Sequence, residues 1–246
     1  MNLTEVKELF RDKIDINLYV PLFQKIEIDL SYGIYEKEKM ILIYGEAGNG
    51  KSFLMKKIYD NLRQKENEFE FYFISNPFEE EGALDELFLI KDDKTSHRVV
   101  FIDEAQTLSL EKIERLRMLA DNNSYTIILA THEKEAKQIF TKKHFKTRIN
   151  YFINLKPLKL DKIELFINSK LIQNDAHNIA SLFNKTNYKL IHKLTKGNLR
   201  EINRLLFKTF DIIDFFQKKY PQKVSSNKID NKYIEMAYMD LKGFDA

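Results

Sequence analysis

Two hydrophobic rhythms alternate along the first two thirds of the chain. Met40–Tyr44, Phe69–Ser75, Val99–Ile102, Tyr125–Ala130 and Tyr151–Leu155 are short runs rich in Ile, Val, Phe and Tyr, with the length of buried strands. Between them Lys51–Gln64, Ala83–Ile90, Ser109–Asp121 and Glu133–Phe140 carry apolar residues at helical spacing. Strands alternating with helices predict an α/β domain, a parallel sheet covered on both faces. After Pro157 the strand rhythm stops. Asp161–Asn174, Tyr188–Lys196 and Asn198–Lys219 have helical spacing, the last with Ile202, Leu205, Leu206 and Phe210 on one side.

This pattern divides the chain into N-terminal helices over 1–39, an α/β domain over 40–156, a helical domain over 157–220 and a tail over 221–246. Lys156-Pro157 is the expected joint. Asn2 and Glu5 have the spacing of a capping box, and a second amphipathic stretch runs from near Pro21 towards Glu38. In the tail, Pro221–Asn231 reads as a polar loop and Lys232–Leu241 as a short helix.

Composition narrows the possibilities without choosing among them. Apolar residues make up 43% and charged residues 31% of 246, which fits a packed core under a charged surface. Lys and Arg total 40 against 37 Asp and Glu, so net charge alone does not point to nucleic acid. The absence of cysteine excludes disulfides, thiolate metal sites and a cysteine nucleophile. No apolar run approaches the roughly 18–20 residues that span a bilayer. Met1–Arg11 lacks the basic start and apolar centre of a signal peptide. A cytoplasmic protein is expected, with any contact to the inner membrane made through a partner.

Glycine is scarce, and three of the seven glycines fall within Gly45–Gly50. Gly45-Glu46-Ala47-Gly48-Asn49-Gly50-Lys51-Ser52 matches G-x-x-x-x-G-K-[ST] in full, between an expected strand and an expected helix. Such a loop turns backbone N–H groups towards phosphates, and the following helix adds the partial positive charge of its N-terminus. Lys51 would contact the β- and γ-phosphates and Ser52 would ligate magnesium; the nucleotide-binding set runs from Gly45 to Phe53. Val99–Ile102 ends in Asp103-Glu104, where Asp103 would hold the magnesium and Glu104 would serve as general base for the attacking water.

Other candidates follow from position. Thr131 and His132 follow the fourth strand and compete for the role of γ-phosphate sensor. Arg148 precedes the fifth strand, where in an oligomeric ATPase an arginine reaches a neighbouring subunit's nucleotide; the alternative is a structural or solvent-facing arginine. Arg200 opens the long helix of the helical domain and would report the nucleotide's state to it. His97, His144, His177 and His192 lack metal-ligand spacing and read as surface residues. Lys134, Lys137, Lys142, Lys143 and Lys146, interleaved with Phe140 and Phe145, form a basic stretch suited to DNA phosphates, or else an ordinary solvated face offset by Glu133 and Glu135.

With these residues in place the chain resembles the AAA+ ATPases of the ExeA/GspA type, which are close to the TniB-like transposition ATPases. The resemblance covers roughly Tyr35 to Phe216. It rests on Asp103-Glu104-Ala105-Gln106-Thr107-Leu108-Ser109, on Thr147-Arg148-Ile149, on Leu155-Lys156-Pro157-Leu158 and on Gly197-Asn198-Leu199-Arg200-Glu201-Ile202-Asn203. It implies ATP and magnesium as ligands and a nucleotide-dependent homo-oligomer. It also implies a motor or switch for a secretion, type IV pilus-like or DNA-uptake apparatus, with a membrane-associated partner. The alternative is a DNA-binding ATPase of transposition or replication. The sensor position usually holds Gln or Asn in such proteins and holds His132 here, and the chain lacks the membrane span that many of them carry.

Overall fold

Five strands, β1 (Met40–Tyr44), β2 (Phe69–Ile74), β3 (His97–Ile102), β4 (Tyr125–Thr131) and β5 (Ile149–Asn154), pair in parallel in the order β2-β3-β4-β1-β5. The computed structural model describes residues 3–11, 23–66, 68–90, 96–140 and 143–243. The chain forms two compact units, Phe23–Lys156 and a second made of Met1–Leu22 with Pro157–Ala246.

In the first unit burial follows sheet order. Every residue of β3 and β4 is buried, and all but the last of β1, as expected for inner strands covered on both faces. The edge strand β2 mixes buried and half-buried positions, and β5 also exposes Asn150 and Phe152. Alternate strand residues serve opposite faces. Met40, Leu42, Val100, Ile102, Ile127 and Leu129 pack with Leu84 and Leu87 of α4 (Glu81–Leu89) and with Ile113, Leu116 and Ala120 of α5 (Leu110–Asp121). On the other face Tyr59 of α3 (Lys51–Arg63) lies edge-on to Phe73 and Phe101. A Cβ on Gly33 of α2 (Gln24–Tyr35) would sit 3.0 Å from Ile41 Cδ1, so the glycine lets that helix lie close to the sheet. Lys57 of α3 reaches Glu27 of α2 at 2.7 Å. The α/β class expected from the strand–helix rhythm is present.

The segment after β4 is less regular than its spacing suggests. The helical pattern of Glu133–Phe140 forms α6 (Glu133–Glu135) followed by a π-helical stretch, Ala136–Phe140, and a short α7 (Lys143–Lys146) follows.

The second unit is helical: α1 (Leu3–Leu9), α8 (Leu160–Ile172), α9 (His177–Ala180), α10 (Lys185–Thr195), α11 (Leu199–Lys219) and α12 (Asn231–Gly243). Ile202, Leu205, Leu206 and Phe210 of α11 are buried as the pattern requires. Lys7 of α1 binds Asp211 at 2.7 Å and Phe10 stacks on Phe210, so α1 belongs to this unit and the N-terminal helices divide between the two. Asn2 and Pro21, where the sequence puts the capping box and the start of the second helix, lie outside the described residues. Asn184 and Asn187 form a capping box on α10, and the Asn187 amide also donates to Ile229 O at 2.9 Å, tying down the segment before α12. Among the described residues no helix is long and apolar enough to cross a membrane.

His97 corrects the expectation of a surface histidine. It is buried at the start of β3, with its Nε2 2.9 Å from Thr126 Oγ1. Burial, and then the charge of Lys37, lower its pKa to about 4. His177 is exposed and His192 half-buried, and the side chain of His144 lies outside the described residues.

A histidine kept neutral by the fold makes stability fall as pH falls. Below about 6.5 the unfolded chain takes up a proton that the folded chain refuses until about pH 4. The loss across that window reaches at most roughly 3 kcal/mol, because each tenfold difference in proton affinity is worth about 1.4 kcal/mol. Urea unfolding midpoints at pH 7 and pH 4.5 should differ less in His97→Gln than in the parent; equal differences would remove His97 as the cause.

Candidate active site

The loop between β1 and α3 is shaped by three glycines and one carbonyl. Gly45, Gly48 and Gly50 have φ of 156, 82 and 94°, conformations that side-chain-bearing residues rarely adopt. Gly45 also lies against β5's exit: a Cβ there would be 2.3 Å from the Leu155 carbonyl oxygen. That same oxygen accepts a hydrogen bond of 2.8 Å from the buried Asn49 side-chain amide. Leu155 N–H in turn donates to Tyr44 O at 2.7 Å. Gly50 is the N-cap of α3, so the first turn of that helix opens at the loop. Lys51 is 6% exposed, and its ammonium donates to Gly45 O at 3.0 Å and Glu46 O at 3.1 Å. Glu46 and Ala47 are exposed; Phe53 is half-buried, its ring centroid 5.9 Å from that of Phe23.

Asp103 follows β3, whose line it continues by donating its N–H to Ile74 O at 2.9 Å. It is 3% exposed, and burial raises its pKa against the opposing pull of the Ser52 hydroxyl, the Glu104 N–H and the Lys51 charge. The Ser52 hydroxyl stands near this carboxylate and favours its charged form. Glu104 has φ 51°, a left-handed conformation that turns its side chain off the strand line. Its carboxylate, 40% exposed, accepts from the Gln106 amide and lies 3.9 Å from His132 Nε2.

The register pairs Tyr44 with Thr131, so Thr131 stands beside the strand end from which the loop departs. Its hydroxyl is buried with no hydrogen-bond partner, as is Gln106 Oε1. An unpaired buried hydroxyl costs about 1–3 kcal/mol, which a ligand acceptor would relieve. Lys51, Ser52, Asp103, Glu104, Thr131 and His132 therefore gather at the carboxyl ends of β1, β3 and β4. Gln106 joins them; it stands within the Asp103–Ser109 motif, but only the fold shows its contact.

Arg148 lies elsewhere. It precedes Ile149, which pairs with Met40 at the start of β1, whereas the loop leaves from the far end of that strand. Its Nε donates to both oxygens of Asp121, at 2.7 and 3.0 Å. Arg200 belongs to the helical unit, exposed in the first turn of α11, where the Asn198 side chain caps its N–H at 3.1 Å.

The basic stretch is altered by the structure. Phe140 and Phe145 are buried and pack edge-to-face at 5.4 Å, so these rings are core residues and are not placed between the lysines to meet bases. Lys134 and Lys146 are exposed, and Lys137 pairs with Glu133 at 2.7 Å. Lys142 and the side chain of Lys143 lie outside the described residues.

Residues 37–164, more than half of the chain, match the profile of a protein family described as AAA domain. The chain belongs to the AAA domain family. No curated protein matches it. Similar solved structures include the Aeropyrum pernix ORC1 protein in complex with DNA, at TM-score 0.68 and 11% identity, over 96% of this chain and 69% of that one. The Aeropyrum pernix ORC2 protein in ADPNP–ADP complexes aligns at TM-score 0.62 and 13% identity, over 95% and 71%. Domain III of the Thermotoga maritima replication initiation protein DnaA aligns at 0.60 and 16%, over 94% and 97%. At these identities the likeness establishes the fold: a P-loop parallel sheet flanked by helices, with a helical region after it, the AAA+ architecture.

The Leu155 contact makes Gly45 a stringent position. Gly45→Ala should destabilise the fold by about 1–3 kcal/mol, since the clash is with backbone and the φ is unsuited to alanine. Gly82→Ala, in α4 with open space around it, should be neutral or mildly stabilising. Thermal unfolding of both variants checks the contrast.

Proposed function

We propose that the chain binds ATP with magnesium at Gly45–Ser52, hydrolyses it, and uses the cycle as a switch in a process acting on DNA. The observation that carries the ATPase reading is the convergence of Lys51, Ser52, Asp103, Glu104 and the unpaired Thr131 hydroxyl at one end of the sheet.

In this reading the loop N–H groups receive the phosphates, and the Lys51 ammonium exchanges its two carbonyls for β- and γ-phosphate oxygens. Ser52 and Asp103 suit magnesium: a hydroxyl and a carboxylate near one another are hard oxygen donors, and a cation offsets the cost of burying Asp103. Bound there, the metal would neutralise phosphate charge. Glu104 accepts a proton from the attacking water while water oxygen bonds to the γ-phosphorus and the bond to the β-phosphate oxygen breaks, leaving ADP and phosphate. Thr131 donates to the γ-phosphate, and His132 stays beside the Glu104 carboxylate. Arg148 acts on the nucleotide of a neighbouring copy in a homo-oligomer, and Arg200 links nucleotide state to the helical unit.

The DNA-acting alternative is the better supported client. Solved relatives of this fold include an ORC1 protein in complex with DNA and a domain of a replication initiation protein. The exposed Lys134 and Lys146 are the contacts proposed here. The secretion, pilus or DNA-uptake client, the ExeA/GspA-type subfamily and a membrane-associated partner rest on the motif resemblance alone.

Lys51→Ala should weaken ATP binding at least tenfold, about 1.4 kcal/mol or more, by calorimetry. Glu104→Gln should still bind ATP while turnover falls by roughly 10²–10⁴. Unchanged affinity in the first, or normal turnover in the second, would end the respective assignment. For the client, duplex DNA binding measured by anisotropy should weaken with salt, and Lys134→Ala and Lys146→Ala should each lower the slope by about 1. A salt-independent or absent signal removes DNA from the proposal.

A further inference from the structure

We propose that Asp121 is the positioning residue for Arg148, holding its guanidinium for use on the nucleotide of a neighbouring copy. This rests on the role of Arg148 proposed above. The two residues are 27 positions apart in sequence and meet at the amino end of the sheet, from the last residue of α5 and the residue before β5. Both Asp121 oxygens accept from one nitrogen, Nε, at 2.7 and 3.0 Å, which fixes the guanidinium plane from its side; Nη1 donates to Thr147 Oγ1 at 3.1 Å.

The surroundings of Asp121 indicate purpose beyond an ordinary surface pair. A carboxylate on the last residue of a helix faces the negative end of the helix dipole and is unfavourable there without cations. Here three converge: Arg148, Arg117 at 2.9 Å and Lys39 at 3.7 Å. Arg117 is braced in turn by Glu114 at 2.7 Å. Hydrogen bonding to Arg148 lowers the Asp121 pKa, so the carboxylate is ionised at neutral pH. Three cations against two carboxylates leave net positive charge, which suits a polyphosphate.

The direction in which Arg148 acts is also set. Along β1 the four steps from Met40 to Tyr44 span about 13 Å at ~3.3 Å per residue. The loop begins beyond that far end, out of reach of one arginine side chain. A second copy is the partner that brings a phosphate to it.

The test is complementation between variants of the full chain. Asp121→Asn should bind ATP as the parent does but lose tenfold or more in kcat, with KM for ATP unchanged. Asp121→Glu, which keeps the charge, should recover part of that loss. Mixing Asp121→Asn with Lys51→Ala should restore turnover, because one subunit brings an intact pocket and the other a supported Arg148. The same mixing with Arg148→Ala calibrates the assay. If Arg148→Ala is not rescued, the trans role of Arg148 falls and this inference with it. If Arg148→Ala is rescued but Asp121→Asn is not, Asp121 acts only within its own chain and the inference alone fails. Full or increased activity in Asp121→Asn would also overturn it.

Discussion

The Leu155 carbonyl at the exit of β5 is gripped from two directions, by the Asn49 amide at 2.8 Å and by the bare Cα of Gly45. These contacts fold the loop back onto the neighbouring strand end instead of letting it project from β1. The rest of the site follows from this. Lys51 is placed to close over the loop's own carbonyls, α3 starts with its N-terminus at the loop, and Ser52 is brought near Asp103. A hydrogen bond contributes only about 0.5–1.5 kcal/mol net, but a buried amide left unpaired costs more, so Asn49 holds the arrangement by the penalty of leaving it.

The sheet separates two kinds of chemistry. Its carboxyl end carries the loop, the two acidic residues and Thr131; its amino end carries Arg148, Asp121, Arg117 and Lys39. Inner strands buried along their whole length keep these ends a fixed distance apart. Glu104 occupies a strained left-handed turn immediately after such a strand, so a flexible side chain is launched from a rigid base.

The fold was largely legible because buried strands announce themselves as short β-branched and aromatic runs, and all five lie within two residues of where the pattern puts them. The glycine-rich loop was legible for the same local reason. What the sequence concealed depends on tertiary context. His97 looked like a surface residue because nothing in the local pattern shows which strand end another strand will cover. Phe140 and Phe145 looked like platforms among lysines, and only the fold turns them inward. Asp121 carried no signal at all: an acid ending a helix reads as solvated until Arg148 is brought beside it. The division of the N-terminal helices arises from Lys7 and Phe10 meeting a helix some two hundred residues later.

The crowding at Gly45 bears on how relatives of this chain should be read. Its requirement for glycine comes from the β5 carbonyl, and Gly197 is held in the same way, where a Cβ would lie 2.1 Å from Leu158 O. Neither constraint involves a phosphate. A descendant that had lost Lys51 or Glu104 would still lose stability on replacing either glycine. A preserved glycine at the head of the loop is therefore a mark of shared architecture and by itself says nothing about nucleotide chemistry.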